Sequence, residues 1–464
     1  VEGDYEREKR ELLKKAMRAD PDGVVDAILG LERRIEELEA RLKMNSRNSS
    51  KPPGSDGYDK PSPKSLRKRS GRKSGGQKGR RGSALQRADK PDKVEPIFLQ
   101  RCPSSGVELA PSNIVDVISR QVFELPETKL EVTEYQAYVY EVPATGARVH
   151  GEFPEEAKAP LQYGFRFHAW LVYLVDYQFI PLRRVRRMCE DIFGYAVGEG
   201  TISEARRRCE ANLAEFVRVT GAKLKGEAVV HADETGMRVE GKTAWLHSLS
   251  TSELTLYHID PKRGGDAIEA MGILPEFEGR LIHDFWKPYL ALDCEHGICN
   301  AHIVRELTFF EDLGQSWAKT LKELLLQACS EPSVNSPEQW RRRYRRLLKQ
   351  GYKRNPFEPP PRKQGQRGRV AKPKAVNLLE RLDAHDDWIL AFLDHPGVPF
   401  TNNQAEQDVR MAKIRQKISG CFRSWEGSRT FAIIRSYIST CIKQDVPVFD
   451  ALAKAMRNQA ELFA

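Results

Sequence analysis

Apolar side chains at Val24, Ile28, Leu31, Ile35, Leu38 and Leu42 advance by four and three residues, which predicts a helix carrying a short heptad seam. Asp20-Pro21 gives that helix a start, and the polar Asn45-Ser46 pair gives it a stop. At under three heptads, the seam fits either self-association or packing on its own chain. Residues 115–125 and 130–142 alternate as strands do. From 163 to 222 the pattern becomes helical, with a glycine-bearing turn at YAVGEGT between two helices. Leu182, Val185, Met188 and Ile192 have core spacing there. Arg206, Arg207 and Arg208 fan around the second helix and cannot all face one groove, so this pair reads as scaffold before recognition element.

Beyond Glu227 the period shifts to that of strands, at 228–232, 243–250 and 254–259. A helix follows Gly264, and another strand ends at Asp284. A helix near 289–293 and a short strand at 296–300 come next, and a helix opened by Thr401-Asn402-Asn403 comes later. About a hundred mostly helical residues separate the last two, too many for a structureless loop in a compact domain, so a helical insertion is expected at 302–398. Within it, QWRRRYRRLLKQGYKR interleaves cations with Trp340, Tyr344 and Tyr352. That face fits base stacking, or an amphipathic helix with snorkelling arginines.

Composition narrows the class. The chain has 464 residues, 40% of them apolar, enough for two or three domains with at least one sizeable core. Its longest apolar stretch, 169–182, is interrupted by Asp176 and Gln178, so no membrane span is expected and a cytoplasmic, nucleoid-associated protein is. Eight scattered cysteines lack the spacing of a secreted disulfide scaffold. Cys299-x-x-His302 is the one motif-like pair, and with Cys294 nearby it still lacks a fourth zinc ligand, so a structural or DNA-contact role ranks ahead of metal. The net charge of +10 is concentrated at 45–95, with fifteen Lys and Arg against five Asp and Glu. This Ser-, Gly- and Pro-rich stretch cannot bury a core. Arg67, Lys68, Arg69, Arg72 and Lys73 suit phosphate neutralisation more than a solvated linker.

Three acids carry the chemistry. Asp233 in VVHADETG and Asp284 in RLIHDFWKPY each follow an apolar run, and Glu406 lies early in the TNNQAEQDVRMAK helix. Carboxylates at adjacent strand ends, closed by one from a helix, can hold two hard divalent ions about 4 Å apart for displacement at phosphorus. Arg410 and Lys413, four and seven residues past Glu406, share its helical face and suit a phosphate backbone; the alternative for Arg410 is an ion pair with Glu406. Asn402 and Asn403 are placed to cap and orient that helix, or to touch substrate. His231 and Glu234 flank Asp233, with Glu234 fitting a helper carboxylate or a surface residue equally well.

These segments, VHADETGMRVEGKTAWLH, HDFWKPY, CNAHIVREL and TNNQAEQDVRMAKIRQKISGCFRSWEGS in that order, with NSSKPPGSDG and GRKSGGQKGRRG before them, resemble transposases of the insertion sequence 66 family. The resemblance implies an α+β multidomain chain with a ribonuclease-H-like mixed sheet, flanking helices and a large helical insertion. It divides the chain into a coiled-coil helix at 1–44, a basic linker at 45–95, a small β module at 96–160, a helix-turn-helix-like region at 161–222 and a catalytic domain at 223–464. It implies a catalytic triad and metal set of Asp233, Asp284 and Glu406, two Mg²⁺ ions with Mn²⁺ as substitute, DNA ends and target as substrates, a homo-oligomer, and accessory proteins of the same element as possible partners. His302, Asn402 and Asn403 are supporting residues, and Lys413 matches a cation often kept beside the glutamate. A metal-dependent nuclease without strand transfer and an inactive DNA-binding derivative are the rival functions. Relatives carry two CPxCG-type knuckles where this chain has Cys102-Pro103-Ser104-Ser105-Gly106 and Val142-Pro143-Ala144-Thr145-Gly146. Three of four ligands are gone, so zinc is not expected in this module.

Overall fold

The computed structural model describes residues 2–49, 56, 85–359, 370–395 and 397–463, so the basic-linker residues Arg67, Lys68, Arg69, Arg72 and Lys73 lie outside the described residues. Two helices open the chain, α1 (Glu2–Ala19) and α2 (Pro21–Leu42). Asp20 caps α2 as its position promised, its carboxylate accepting from the Gly23 N–H at 2.9 Å. The seam residues Ile28, Leu31, Ile35, Leu38 and Leu42 are exposed. Past the helix, Arg47 and Asn48 donate to Asp312 at 2.7 and 3.1 Å, fastening this end to the insertion.

Of the two alternating runs near the knuckles, only the end of the second pairs, as β1 (Val139–Glu141) against β2 (Arg148–His150). Residues 115–125 form no strand, because their apolar side chains, Val115, Val117 and Ile118 among them, have no layer to pack on and stay exposed. Both knuckle turns nevertheless persist. Gly106 and Gly146 adopt φ of 70° and 66° and donate to the carbonyls of Cys102 and Val142 at 2.9 and 2.8 Å.

Four helices follow: α3 (Phe165–Val172), α4 (Leu182–Phe193), α5 (Glu199–Asn212) and α6 (Ala214–Gly226). The three arginines of α5 do diverge. Arg206 turns inward to a bidentate pair with Asp176 at 2.7 Å, Arg207 bonds Glu204 on its own helix, and Arg208 stacks over Phe165. The pair is scaffold by contact.

The central sheet comprises β3 (Val229–Val239), β4 (Lys242–Ser250) and β5 (Thr255–Asp260), then, after α7 (Gly265–Met271), β6 (Arg280–His283) and β7 (Glu295–Ile298). Its order is β5-β4-β3-β6-β7, with the first three antiparallel and β6 and β7 parallel to β3. The expected β-β-β-α-β run is present, with two differences. Residues 289–291 make a single 3₁₀ turn where a helix was expected. And β3 does not end at Ala232 but runs to Val239, because a two-residue turn at Glu240 and Gly241, with φ of 50° and 75°, folds it back onto β4.

The insertion contains α8 (Asn300–Asp312), α9 (Ser316–Ser330), α10 (Pro337–Arg354), α11 (Lys374–Ala384), α12 (Asp386–Ile389) and α13 (Ala391–Asp394), around a core that includes Leu307, Trp317, Leu321 and Leu379. Trp340 and Tyr344 of α10 are fully buried in it, their Nε1 and hydroxyl donating to the carbonyls of Pro332 and Leu382 at 3.0 Å. The base-stacking face is therefore ruled out for these two rings, and the amphipathic reading holds: Arg341 and Arg345 reach Asp387 and Asp386 at 2.7 and 2.6 Å. Last come α14 (Asn403–Ser419), α15 (Trp425–Lys443) and α16 (Val448–Met456). Ala412 of α14 and Phe431 and Ala432 of α15 cover one face of the sheet through Met237, Ala244 and Leu246, while Leu224 of α6 and Ile268 of α7 cover the other through Val230, Ala232 and Leu249. No helix among the described residues is long and apolar enough to cross a membrane.

Candidate active site

The parallel register between β3 and β6 builds the centre of the site. His231 is level with Ile282, and two residues beyond that last pair the chain reaches Asp233 on one strand and Asp284 just past the other. Neighbouring strands lie about 4.8 Å apart, so the two acids stand abreast. Asp233 is thus at the end of the parallel ladder though in mid-strand, its far side still paired through Ser248 of β4. The Trp286 N–H donates to Asp284 Oδ1 at 2.9 Å and fixes that side chain where the ladder stops.

Glu406 arrives on the first turn of α14, whose start is tied to β3 by Asn402. Asn402 sits at the N-cap, but its side chain makes no capping bond. Its Nδ2 donates to the Ala232 carbonyl and its Oδ1 accepts from His231 Nδ1, both at 2.8 Å. An amide oxygen can only accept, so the His231 proton is on Nδ1. Asn402 is therefore a clamp between helix and strand, which corrects the capping expectation. Asn403 is exposed and makes no such bonds among the described residues.

Burial acts most strongly on Asp233, whose carboxyl is pushed up to about 8, with the charges of Glu234, Asp284 and Glu406 adding to the push against the Glu234 N–H bond. Asp284 is raised too, by burial, against the Trp286 N–H, Arg263 and Arg305. Glu234 is not a surface residue. Strand alternation turns it to the opposite face from Asp233, where Arg263 pairs with it at 2.7 Å and the Tyr289 hydroxyl donates to it at 2.9 Å. Arg263 is itself held between Trp245 and Trp286, 4.7 Å from each ring centre. Glu234 thus has its cation already, and among the described residues Asp233 forms no ion pair.

On the α14 face, Lys413 donates to the Gly236 carbonyl of β3, and burial lowers its ammonium from the usual lysine value. Arg410 is exposed and forms no ion pair with Glu406 among the described residues. His302 lies in the first turn of α8, its ring held down to about 4 by burial and the neighbouring Arg305, with Nδ1 buried and unpartnered. Cys299, at the N-cap of the same helix, is within 3.9 Å of Glu406 Oε1 and accepts the Asn402 N–H at 3.2 Å. The sequence spacing exposed Cys299 and His302 as a pair; it gave no sign that Glu406 would join them, since that contact spans 107 residues.

A family model described as Transposase IS66 family matches residues 160–430, more than half of the chain. The chain belongs to this transposase family. The transposase also matches, over residues 6–86, a family of unknown function designated DUF6444. No match was found among curated proteins. The matched stretch includes all three candidate acids, the insertion and the helices of 161–222. A DNA-acting role follows from membership.

Proposed function

We propose that this transposase cuts DNA at the ends of an insertion element and joins them to a target, through divalent ions held by Asp233, Asp284 and Glu406. What supports this reading is the parallel register that brings Asp233 and Asp284 to the same end of neighbouring strands, with Glu406 on the first turn of a helix clamped to the same β3. Three carboxylates are hard oxygen donors, the class that suits Mg²⁺, or Mn²⁺ in its stead. When bound, such ions supply Lewis-acid activation of the attacking oxygen and stabilise the leaving one. The sheet order, three antiparallel strands followed by two parallel ones, supports a ribonuclease-H-like core within 223–464.

The chain's own residues do the positioning. Asp233 is braced by its pairing with Ser248 of β4, Asp284 by the Trp286 N–H, and Glu406 by Asn402 through the phase of α14. Exposed Arg410, with Lys413 on the same helix, offers positive charge to a phosphate backbone beside the acids. Arg67, Lys68, Arg69, Arg72 and Lys73 add sequence-independent affinity, and the exposed seam of α2 joins copies of the chain. The test uses precut element ends, a target plasmid and Mg²⁺. Joined product is expected, nicks without joining would mark a nuclease, and Asp284→Ala should abolish cleavage while sparing DNA binding. Cleavage unchanged by Asp284→Ala overturns the assignment.

A further inference from the structure

The side chains of Cys299, His302 and Glu406 each offer one ligand atom, all within 4.8 Å of one another. We propose that they form a second kind of metal site, for a borderline divalent cation such as Zn²⁺, sharing Glu406 with the oxygen site. The donor set decides the class. Thiolate and imidazole favour zinc and cobalt over magnesium, and three protein ligands with a fourth position left to solvent make an ordinary open zinc site. Zinc bonds of roughly 2.0–2.3 Å set tetrahedral ligand atoms about 3.5 Å apart, so closure needs about 1 Å of side-chain movement.

A further observation points to a ligand here. His302 Nδ1 is buried without a hydrogen-bond partner, so the ring carries a nitrogen that no group of the protein engages among the described residues. Cys299 Sγ accepts the Asn402 backbone N–H at 3.2 Å and stands at the N-terminal end of the thirteen-residue α8; burial nonetheless pushes its thiol up to about 11, with Glu406 adding to the push, so an ion has to displace the proton. On binding, the sulfur takes the ion and its proton leaves to solvent. Occupation would draw Glu406 away from Asp233 and Asp284, so zinc would inhibit strand cleavage. Only that inhibition rests on the carboxylate reading; the binding itself does not.

The experiment is titration of the full-length, chelator-stripped protein with Co²⁺, read by absorption. The expected result is a sulfur-to-cobalt charge-transfer band in wild type and in Asp284→Asn, absent from Cys299→Ser. His302→Gln keeps a test available should Cys299→Ser fail to fold, and should weaken Co²⁺ binding by at least the roughly tenfold that even outer-shell substitutions cause. No charge-transfer band in wild type, the same band in folded Cys299→Ser, or undiminished affinity in His302→Gln would each overturn the site. A band retained in Asp284→Asn while its cleavage is lost separates this site from the magnesium one.

Discussion

Replacing Asn402 by alanine should loosen the active site without touching any of its acids. The side chain is 3% exposed and makes two bonds of 2.8 Å, so truncation strands a buried His231 N–H and removes a partner of the Ala232 carbonyl. Each buried group left unsatisfied costs roughly 1–3 kcal/mol, and partial relaxation brings the expected loss to about 2–4 kcal/mol. Guanidinium unfolding followed by tryptophan fluorescence measures it as a lower midpoint at unchanged slope. Asn403→Ala, one residue on and exposed, is the control and should stay within about 0.5 kcal/mol of wild type. Because the clamp sets where Glu406 stands, Mg²⁺-dependent cleavage by the folded variant should fall about 100-fold, the cost of displacing a reacting group by about 1 Å, with DNA affinity retained. Wild-type stability in Asn402→Ala, or an equal loss in Asn403→Ala, would refute the clamp.

Three further outcomes are expected. Asp176→Leu leaves Arg206 buried without its bidentate partner and should cost about 3–5 kcal/mol by chemical denaturation, most of it recovered in Asp176→Leu/Arg206→Met; a single-variant loss under about 1 kcal/mol would show that the pair is dispensable. His247 is buried and its imidazole is held down to about 4, chiefly by burial, so the unfolded chain binds the extra proton and stability falls as pH drops from about 6.5 to 4. That contribution is about 3 kcal/mol, and an unfolding series over this range should be correspondingly flatter for His247→Gln; an unchanged slope would exclude His247 as its source. Leu31→Lys with Ile35→Lys, on the exposed seam of α2, should reduce the mass measured by light scattering to that of one chain, and an unaltered mass would reject self-association through that helix.

Local pattern was enough for the strands of the central sheet, where β3, β4 and β6 are largely buried and bounded by turn residues, but not for the alternating run 115–125, which has no layer to pack on. It failed where a strand turned polar without ending: residues 233–239 continue β3 through hydrogen bonds to β4 that only the hairpin partner supplies. Asp233, Asp284 and Glu406 were legible as candidates from their flanking runs, while the clamp that ties the helix of Glu406 to the strand of Asp233 was not. Asn402 reads as a helix cap in one dimension, and its true partners, His231 and Ala232, are 171 and 170 residues away. Glu234 misled for the opposite reason. Adjacent to Asp233 in sequence, it faces the other side of the sheet and is neutralised by Arg263. In α10 the dense arginines suggested nucleic acid, yet Asp386, Asp387 and Asp394 of the following short helices absorb Arg341 and Arg345, and the rings between them fill the core.

The long course of β3 has a mechanical consequence. Asn402 fastens the head of α14 to its first half, and just beyond the tail of the same helix Phe422 exchanges backbone bonds with it, donating to Arg238 O and accepting from Glu240 N, both at 2.9 Å. A rod lashed to one rail at both extremities can neither pivot nor slide, so Asp233 and Glu406 travel as a single rigid jaw. β6, paired with the same strand as far as His231, sets Asp284 on that jaw as well.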